Sequence, residues 1–392
     1  MILSIPLAWL QLVHRRVKFL ATLSGIAFVV ILLFMQLGFQ DALFDSAVRV
    51  HQILKGDLFV TSSQYKALTS QQSFPRTRLY QTLAFEGVES VSPLYFQFGK
   101  LKNILNGQKY PIFVIGIDPS KANFNLAQIN QNIDLIKIPD TALFDLSSRP
   151  EFGPIATEFN QKKDDIKIEI APFNQITKAK RFTIKGLFSI GPSFGVDGNI
   201  ITNYSTFLQA FPDRSLQNID LGLITLKPEQ NHEQMRDYLA ANLPKDIDIL
   251  TLSEFIQLEK DYWNLRTPIG FIFKIMVFMG FVVGIGITYQ ILYSNISNHL
   301  VAYATLKAIG FTNRYLLIAV FQQAFLLAIL GFLPGIIISF GLYDIATNAT
   351  HLPVTMDTNK TLSVFLSVII MCTVSGFLAV QKLRSVDPAD IF

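Results

Sequence analysis

The chain has 392 residues, 50% of them hydrophobic, with a mean hydropathy of +0.37 and a net charge of +4. It is too apolar for an ordinary soluble protein, and its small positive excess, gathered beside the apolar runs, implies membrane topology rather than nucleic-acid binding. A lone cysteine, Cys372, excludes an intramolecular disulfide and a cysteine metal cluster. The five histidines (His14, His51, His232, His299, His351) show no ligand spacing, so no metal site is expected.

Residues 1–18 begin apolar, with Pro6 and Trp9, and end in the basic cluster His14-Arg15-Arg16-Val17-Lys18. A cleaved secretory signal carries its charges first and small residues at its end. Here the charges sit in the middle, and Phe39 to Phe44 offers no cleavage site. The reading is an interfacial helix on the cytoplasmic side, followed by a first span over residues 19–40. Each such apolar run is close to the ~20 residues that cross ~30 Å of hydrocarbon. An amphipathic continuation through Val48 to Leu54 is stopped by Lys55-Gly56-Asp57.

Residues 41–267 are polar and mixed in sign, and they read as one α+β domain of one or two lobes between the first and second spans. Strands are expected at Asp57–Thr61, Val91–Lys100, Tyr110–Ile117, Asp164–Ile170, Arg181–Phe188, Asn199–Thr202 and Leu221–Leu226, with Asn106-Gly107 as a hairpin turn. Helices are expected at Arg76–Phe85, Glu229–Asn242 and from Ser253, capped by Ser253 or Thr251. Phe124 to Phe152 has no clear periodicity. The domain holds no nucleophile elbow, Walker A loop, HExxH helix or dinucleotide glycine fingerprint. Gly191-Pro192-Ser193-Phe194-Gly195 matches G-x-S-x-G in letters only, because Pro192 and the lack of a following helix argue for a plain loop. No catalytic, cofactor-binding or metal-binding residues are therefore assigned, and the chain is not expected to be an enzyme.

Tyr262-Trp263 is an aromatic-belt signal leading into the second span, residues 268–293. Lys274 lies about two turns inside it, either as a functional group or snorkelling to the interface. Gly280 and Gly284 form a G-x-x-x-G, a pattern that permits close helix approach and is read as dimer packing. Residues 294–314 form a short polar segment. A third span (315–342, with Gly331, Pro334 and Gly335 as a kink), a short loop (343–360), a fourth span (361–380) and a tail (381–392) follow. Lys and Arg cluster at Arg15, Arg16, Lys18, Lys307, Arg314, Lys382 and Arg384, whereas the 343–360 loop has only Lys360. The positive-inside rule puts both termini and residues 294–314 in the cytoplasm, and the large domain outside, in an inner (plasma) membrane. Asp and Glu are absent from the core of every span, which disfavours a proton-coupled transporter.

Several stretches carry a resemblance: Phe34 to Val48, Glu254 to Phe273, Tyr289-Gln-Ile-Leu-Tyr293, Tyr303 to Phe311, and the tail Lys382 to Phe392. In these the chain resembles the FtsX/MacB-type permeases of ABC transporters, and most closely the DevC permeases of cyanobacteria. The resemblance implies a membrane protein with four transmembrane α-helices and a periplasmic α+β domain. It implies a homodimer, a DevA-type ABC ATPase holding ATP-Mg on the cytoplasmic side, a DevB-type membrane fusion (adaptor) protein and a TolC-like outer-membrane channel. The best-known cargo class is glycolipid. The family's ATPase-coupling element falls on Ala302, Tyr303, Thr305, Leu306, Lys307, Ile309 and Gly310. The family usually has a glutamate just before Tyr-Ala-Thr-Leu-Lys, where this chain has Ala302. The physics of the segment agrees: Ala302 to Ile309 suits two helical turns, and Gly310 can end them.

The expectation is the permease subunit of a mechanotransmission-type exporter that moves lipid, glycolipid or other hydrophobic cargo toward the outer membrane, itself binding no cofactor. The alternative is a non-transporting, FtsX-like regulator of a periplasmic hydrolase.

Overall fold

A computed structural model describes residues 16–70, 72–121, 123–162, 165–173, 179–298, 301, 305, 309 and 312–384. The chain divides into two compact units: residues 1–42, 269–350 and 354–392, and residues 43–268 with 351–353.

In chain order the elements are α1 (Arg16–Ala47), α2 (Arg49–Ile53), β1 (Leu58–Ser62), β2 (Phe74–Pro75), α3 (Arg76–Gln81), β3 (Val88–Lys102), β4 (Lys109–Ile117), α4 (Ala127–Asn132), β5 (Thr141–Asp145), α5 (Ile155–Lys162), β6 (Ile166–Pro172), β7 (Lys180–Phe188), β8 (Asn199–Asn203), α6 (Tyr204–Ala210), β9 (Asn218–Ile219), β10 (Leu221–Leu226), α7 (His232–Asn242), β11 (Ile247–Thr251), α8 (Leu252–Asp261), α9 (Pro268–Asn298), α10 (Asn313–Thr350) and α11 (Thr358–Arg384). A π-helical turn, Tyr262–Arg266, joins α8 to α9.

Among the described residues four helical stretches are long and apolar enough to cross a membrane: Phe19–Ala47, Pro268–Asn298, Leu317–Thr350 and Thr358–Gln381. Small residues let them approach closely. A Cβ on Gly331 would fall 2.5 Å from Ile26, and one on Gly335 2.6 Å from Val30, so α10 lies directly on α1. Tyr343 Oη donates to Phe34 O (2.6 Å) across the same pair. Ser375 of α11 donates to Ile285 O of α9 (2.9 Å), and Phe332 meets Phe365 edge-on between α10 and α11. α10 runs eight residues beyond the expected end of the third span, to Thr350. Its 38 residues reach about 57 Å at 1.5 Å each, well past a hydrocarbon core. Apolarity stops near Asp344, but buried Tyr343 and Ala346 keep the helix packed beyond it.

The second unit is built on β3. Its first half, Val88–Leu94, pairs with β10, extending a four-stranded sheet of order β11-β1-β10-β3. From Tyr95 it pairs instead with β4, and Gly99–Lys102 also pair with β6. The ring β3-β4-β8-β5-β7-β6 thereby closes into a six-stranded barrel. At the switch, buried Asp220 accepts Phe96 N–H (2.8 Å) and pairs with Arg214. Burial pushes the Asp220 carboxyl up, against the pull of Arg214. The expected strands and hairpin are present, Gly107 taking φ +71° at the turn. The unplaced stretch Phe124–Phe152 holds α4 and β5. β5 is buried on both faces, between β8 and β7, so it has no alternation to read.

Candidate functional site

The segment expected to couple to an ATPase lies between α9, which ends at Asn298, and α10, which starts at Asn313. Val301, Thr305 and Ile309 are described there. Thr305 Oγ1 donates to Val301 O (2.8 Å), and Ile309 N–H donates to Thr305 O (3.0 Å). The first is a side-chain back-bond and the second a backbone i to i−4 bond, and at this spacing of four the three residues share one stripe. Val301 is 61% and Ile309 71% exposed, so the stripe offers two apolar side chains around a threonine. Ala302, Tyr303, Leu306, Lys307 and Gly310 lie outside the described residues.

Gly280 and Gly284 are buried against their own chain. A Cβ on Gly280 would fall 2.6 Å from Leu32 of α1, and one on Gly284 2.6 Å from Met371 of α11 and 2.7 Å from Val29. The G-x-x-x-G face is thus packed against α1 and α11 of its own chain. Lys274 is exposed on α9, as are Phe271, Ile275 and Phe278. Lys360 is buried: its Nζ sits 3.0 Å from Asp41 Oδ2, donates to Thr355 O (2.8 Å) and lies over the Tyr343 ring. This cation is neutralised by Asp41 and weighs little against the basic residues counted at the other ends of the helices.

In the second unit a polar cluster escaped the sequence reading. Thr251 caps α8 through a reciprocal capping box with Glu254, which decides between the two candidate caps. One turn on, Glu259 is 1% exposed. Its Oε2 accepts Leu68 N–H (2.8 Å) and Tyr65 Oη–H (3.3 Å), and its Oε1 accepts Trp263 Nε1–H (2.9 Å). Buried His51 of α2 brings Nε2 to 3.4 Å from the same carboxylate and lies against the Phe255 ring. Burial and the neighbouring Glu259 charge push the Tyr65 hydroxyl well above its ordinary range. The signal was in the sequence: Glu259 stands four residues after Phe255, on the apolar face of an amphipathic helix. The cluster ties α2, the turn at Tyr65–Leu68, α8 and Trp263 together, and its carboxylate oxygens are taken by protein donors. Among the described residues no group of three His, Cys, Asp or Glu is placed to hold a metal.

With the geometry in place, comparison with known proteins bears on the helical unit. Residues 274–388 match the family described as FtsX-like permease C-terminal. The match spans α9, the segment carrying Val301, Thr305 and Ile309, α10 and α11. Together with the four apolar helices this similarity supports a multi-pass membrane protein. No curated protein matches. Among solved structures, the chain is similar to the periplasmic region of MacB from Actinobacillus actinomycetemcomitans at 14% identity and a TM-score of 0.34, covering 53% of this chain and 94% of that one. It is similar to the extracellular domain of the noncanonic ABC-type transporter YknZ from Gram-positive bacteria at 11% identity and a TM-score of 0.31, covering 51% and 99%. A domain of a permease-like protein from Porphyromonas gingivalis stands at 15% identity and 0.32, covering 51% and 89%.

Proposed function

We propose that the chain is the permease subunit of an ATP-driven exporter of the FtsX/MacB-like type, DevC-like in its sequence, working with a separate ABC ATPase. The observation that carries this is the FtsX-like permease match over residues 274–388, which includes the exposed stripe between α9 and α10. In this reading Val301, Thr305 and Ile309, with Ala302, Tyr303, Leu306, Lys307 and Gly310, dock on the ATPase in the cytoplasm. Closure of the ATPase presses on the stripe, α9 carries the movement, and the domain at residues 43–268 acts on the far side of an inner membrane. The cargo is a lipid or similar amphiphile, handed to a DevB-type adaptor and a TolC-like channel, and the working unit is a homodimer. An apolar stripe suits this role because a desolvated contact of such residues holds two proteins together through motion, whereas an exposed ion pair contributes ~1 kcal/mol or less.

Leu306→Asp and Lys307→Glu test the coupling role. Both variants should insert and fold as wild type while losing cargo export and stimulation of ATP hydrolysis in the purified complex. Unchanged export and hydrolysis in both would overturn the coupling role.

A further inference from the structure

The loop Gly191-Pro192-Ser193-Phe194-Gly195, bland in sequence, is held in an unusual way. Asp145, fully buried at the end of β5, accepts Gly191 N–H (3.0 Å), Ile190 N–H (3.2 Å) and Asn199 Nδ2–H (2.8 Å). Arg49 of α2 donates from Nη1 to Ile190 O (3.3 Å) and Pro192 O (3.2 Å). Gly191 has φ +86°, and a Cβ there would run into the Arg49 guanidinium, so only glycine fits. Ser193 and Val196 exchange backbone bonds across the tip (2.7 and 3.3 Å). Phe194 N–H donates to Ser46 Oγ (3.2 Å), and the Phe194 ring meets Trp263 edge-on at 5.3 Å.

A loop built this firmly nevertheless presents a large apolar side chain outward: Phe194 is 43% exposed. Its two partners fix its level along the chain. Ser46 is the penultimate residue of the candidate span Phe19–Ala47, and Trp263 precedes the candidate span Pro268–Asn298 by five residues. Leu265, between Trp263 and that span, is 65% exposed. Phe194 and Trp263, with Leu265 two residues further on, therefore stand where the chain leaves one apolar helix and enters the next. An indole beside exposed apolar groups at such a place is the composition of a membrane–water interface.

We propose that the loop 191–195 is a lipid-contacting lip, with Phe194 seated at the boundary of headgroups and acyl chains and Arg49 and Asp145 as the positioning residues that hold it there. The occupant is the lipid surface itself. The inference rests on α1 and α9 spanning the membrane and is independent of transport.

The test uses the full chain with Cys372→Ala, reconstituted in vesicles of phosphatidylcholine and phosphatidylglycerol. Nitroxide labels are placed through Phe194→Cys, Leu265→Cys, Ile275→Cys and Leu105→Cys, the last at a hairpin tip 72% exposed. Collision rates with oxygen and with a water-soluble nickel chelate are compared. The proposal expects the oxygen-to-nickel ratio at 194 to resemble those at 265 and 275 and to exceed that at 105 severalfold. A ratio at 194 equal to that at 105, with 275 still lipid-like, would overturn it. A water-like ratio at 275 would instead overturn the span reading beneath it. A second measurement leaves the loop intact: in Trp9→Phe, brominated acyl chains should quench Trp263 emission, and unquenched emission would also overturn the proposal.

Discussion

Phe113 and Phe278 are the same side chain in opposite surroundings. Phe113, in β4, is 0% exposed, stacks on Phe96 and meets Phe98 at a tilt; Phe278, in α9, is 63% exposed. The contrast holds for the two units as wholes. In residues 43–268 aromatic and branched side chains fill the interior, and charged pairs such as Arg149–Asp197 and Lys185–Asp165 lie at the surface. In the helical unit the glycines Gly280, Gly284, Gly331 and Gly335 face inward, and Phe271, Ile272, Ile275 and Phe278 of α9 are exposed. Water drives apolar groups inside residues 43–268. Hydrocarbon removes that drive from the helical unit, where close packing of small residues takes over.

The sharpest way to break this comparison is to truncate both phenylalanines. Phe113→Ala should cost about 3–5 kcal/mol, as a core cavity does, and lower the thermal midpoint of the detergent-solubilised protein strongly. Phe278→Ala should leave that midpoint nearly unchanged, and an equal loss in both would mean α9 is covered by protein. The next effect is the reverse substitution. Gly284→Leu drives its side chain into Met371 and Val29 and should cost about 1–3 kcal/mol, read as loss of the folded bundle on titration with denaturing detergent. Leucine at Gly286, whose Cβ would meet nothing within 4 Å, should be tolerated.

How much of this was legible in the sequence follows the same divide. The four spans were readable because a run of some 20 apolar residues has few alternatives in a polar chain. In the inserted domain, strands with a wet face such as β7 were readable from alternation, whereas β5, Thr-Ala-Leu-Phe-Asp, was not. The barrel closure was out of reach because the β3–β6 pairing joins residues some 70 positions apart, with no local signature. Within the candidate site the segment itself stood out from Tyr303 to Gly310, and Glu259 was legible on the apolar face of α8, but the partners of Glu259 and the clamp on Gly191 were not. Each depends on what another element brings to it.

Glu259 offers a smaller break. Glu259→Ala strands the N–H groups of Leu68 and Trp263, and should cost about 2–4 kcal/mol. Glu259→Gln keeps acceptors in place and should cost less, as measured by the thermal midpoint. The smallest effect is in pH. Burial raises the Asp145 carboxyl above its ordinary value of 3.8 despite four hydrogen-bond donors. The folded state therefore holds that proton more tightly than the unfolded chain, and stability is lost as pH rises from the ordinary carboxylate value through the raised one. The stability of wild type relative to Asp145→Asn should shrink over that rise. A difference that grows would show that the hydrogen bonds outweigh burial.

The central claim is that an ATPase meets the exposed stripe between α9 and α10. The direct measurement replaces Ile309, 71% exposed, with a photoreactive benzoyl-phenylalanine in the full chain in its own membrane. Light should give an adduct whose partner, identified by mass spectrometry, is an ABC-type ATPase, and the same probe at Leu105 should give none. An adduct at 309 that never contains an ATPase, or an ATPase adduct at 105 instead, would contradict the account.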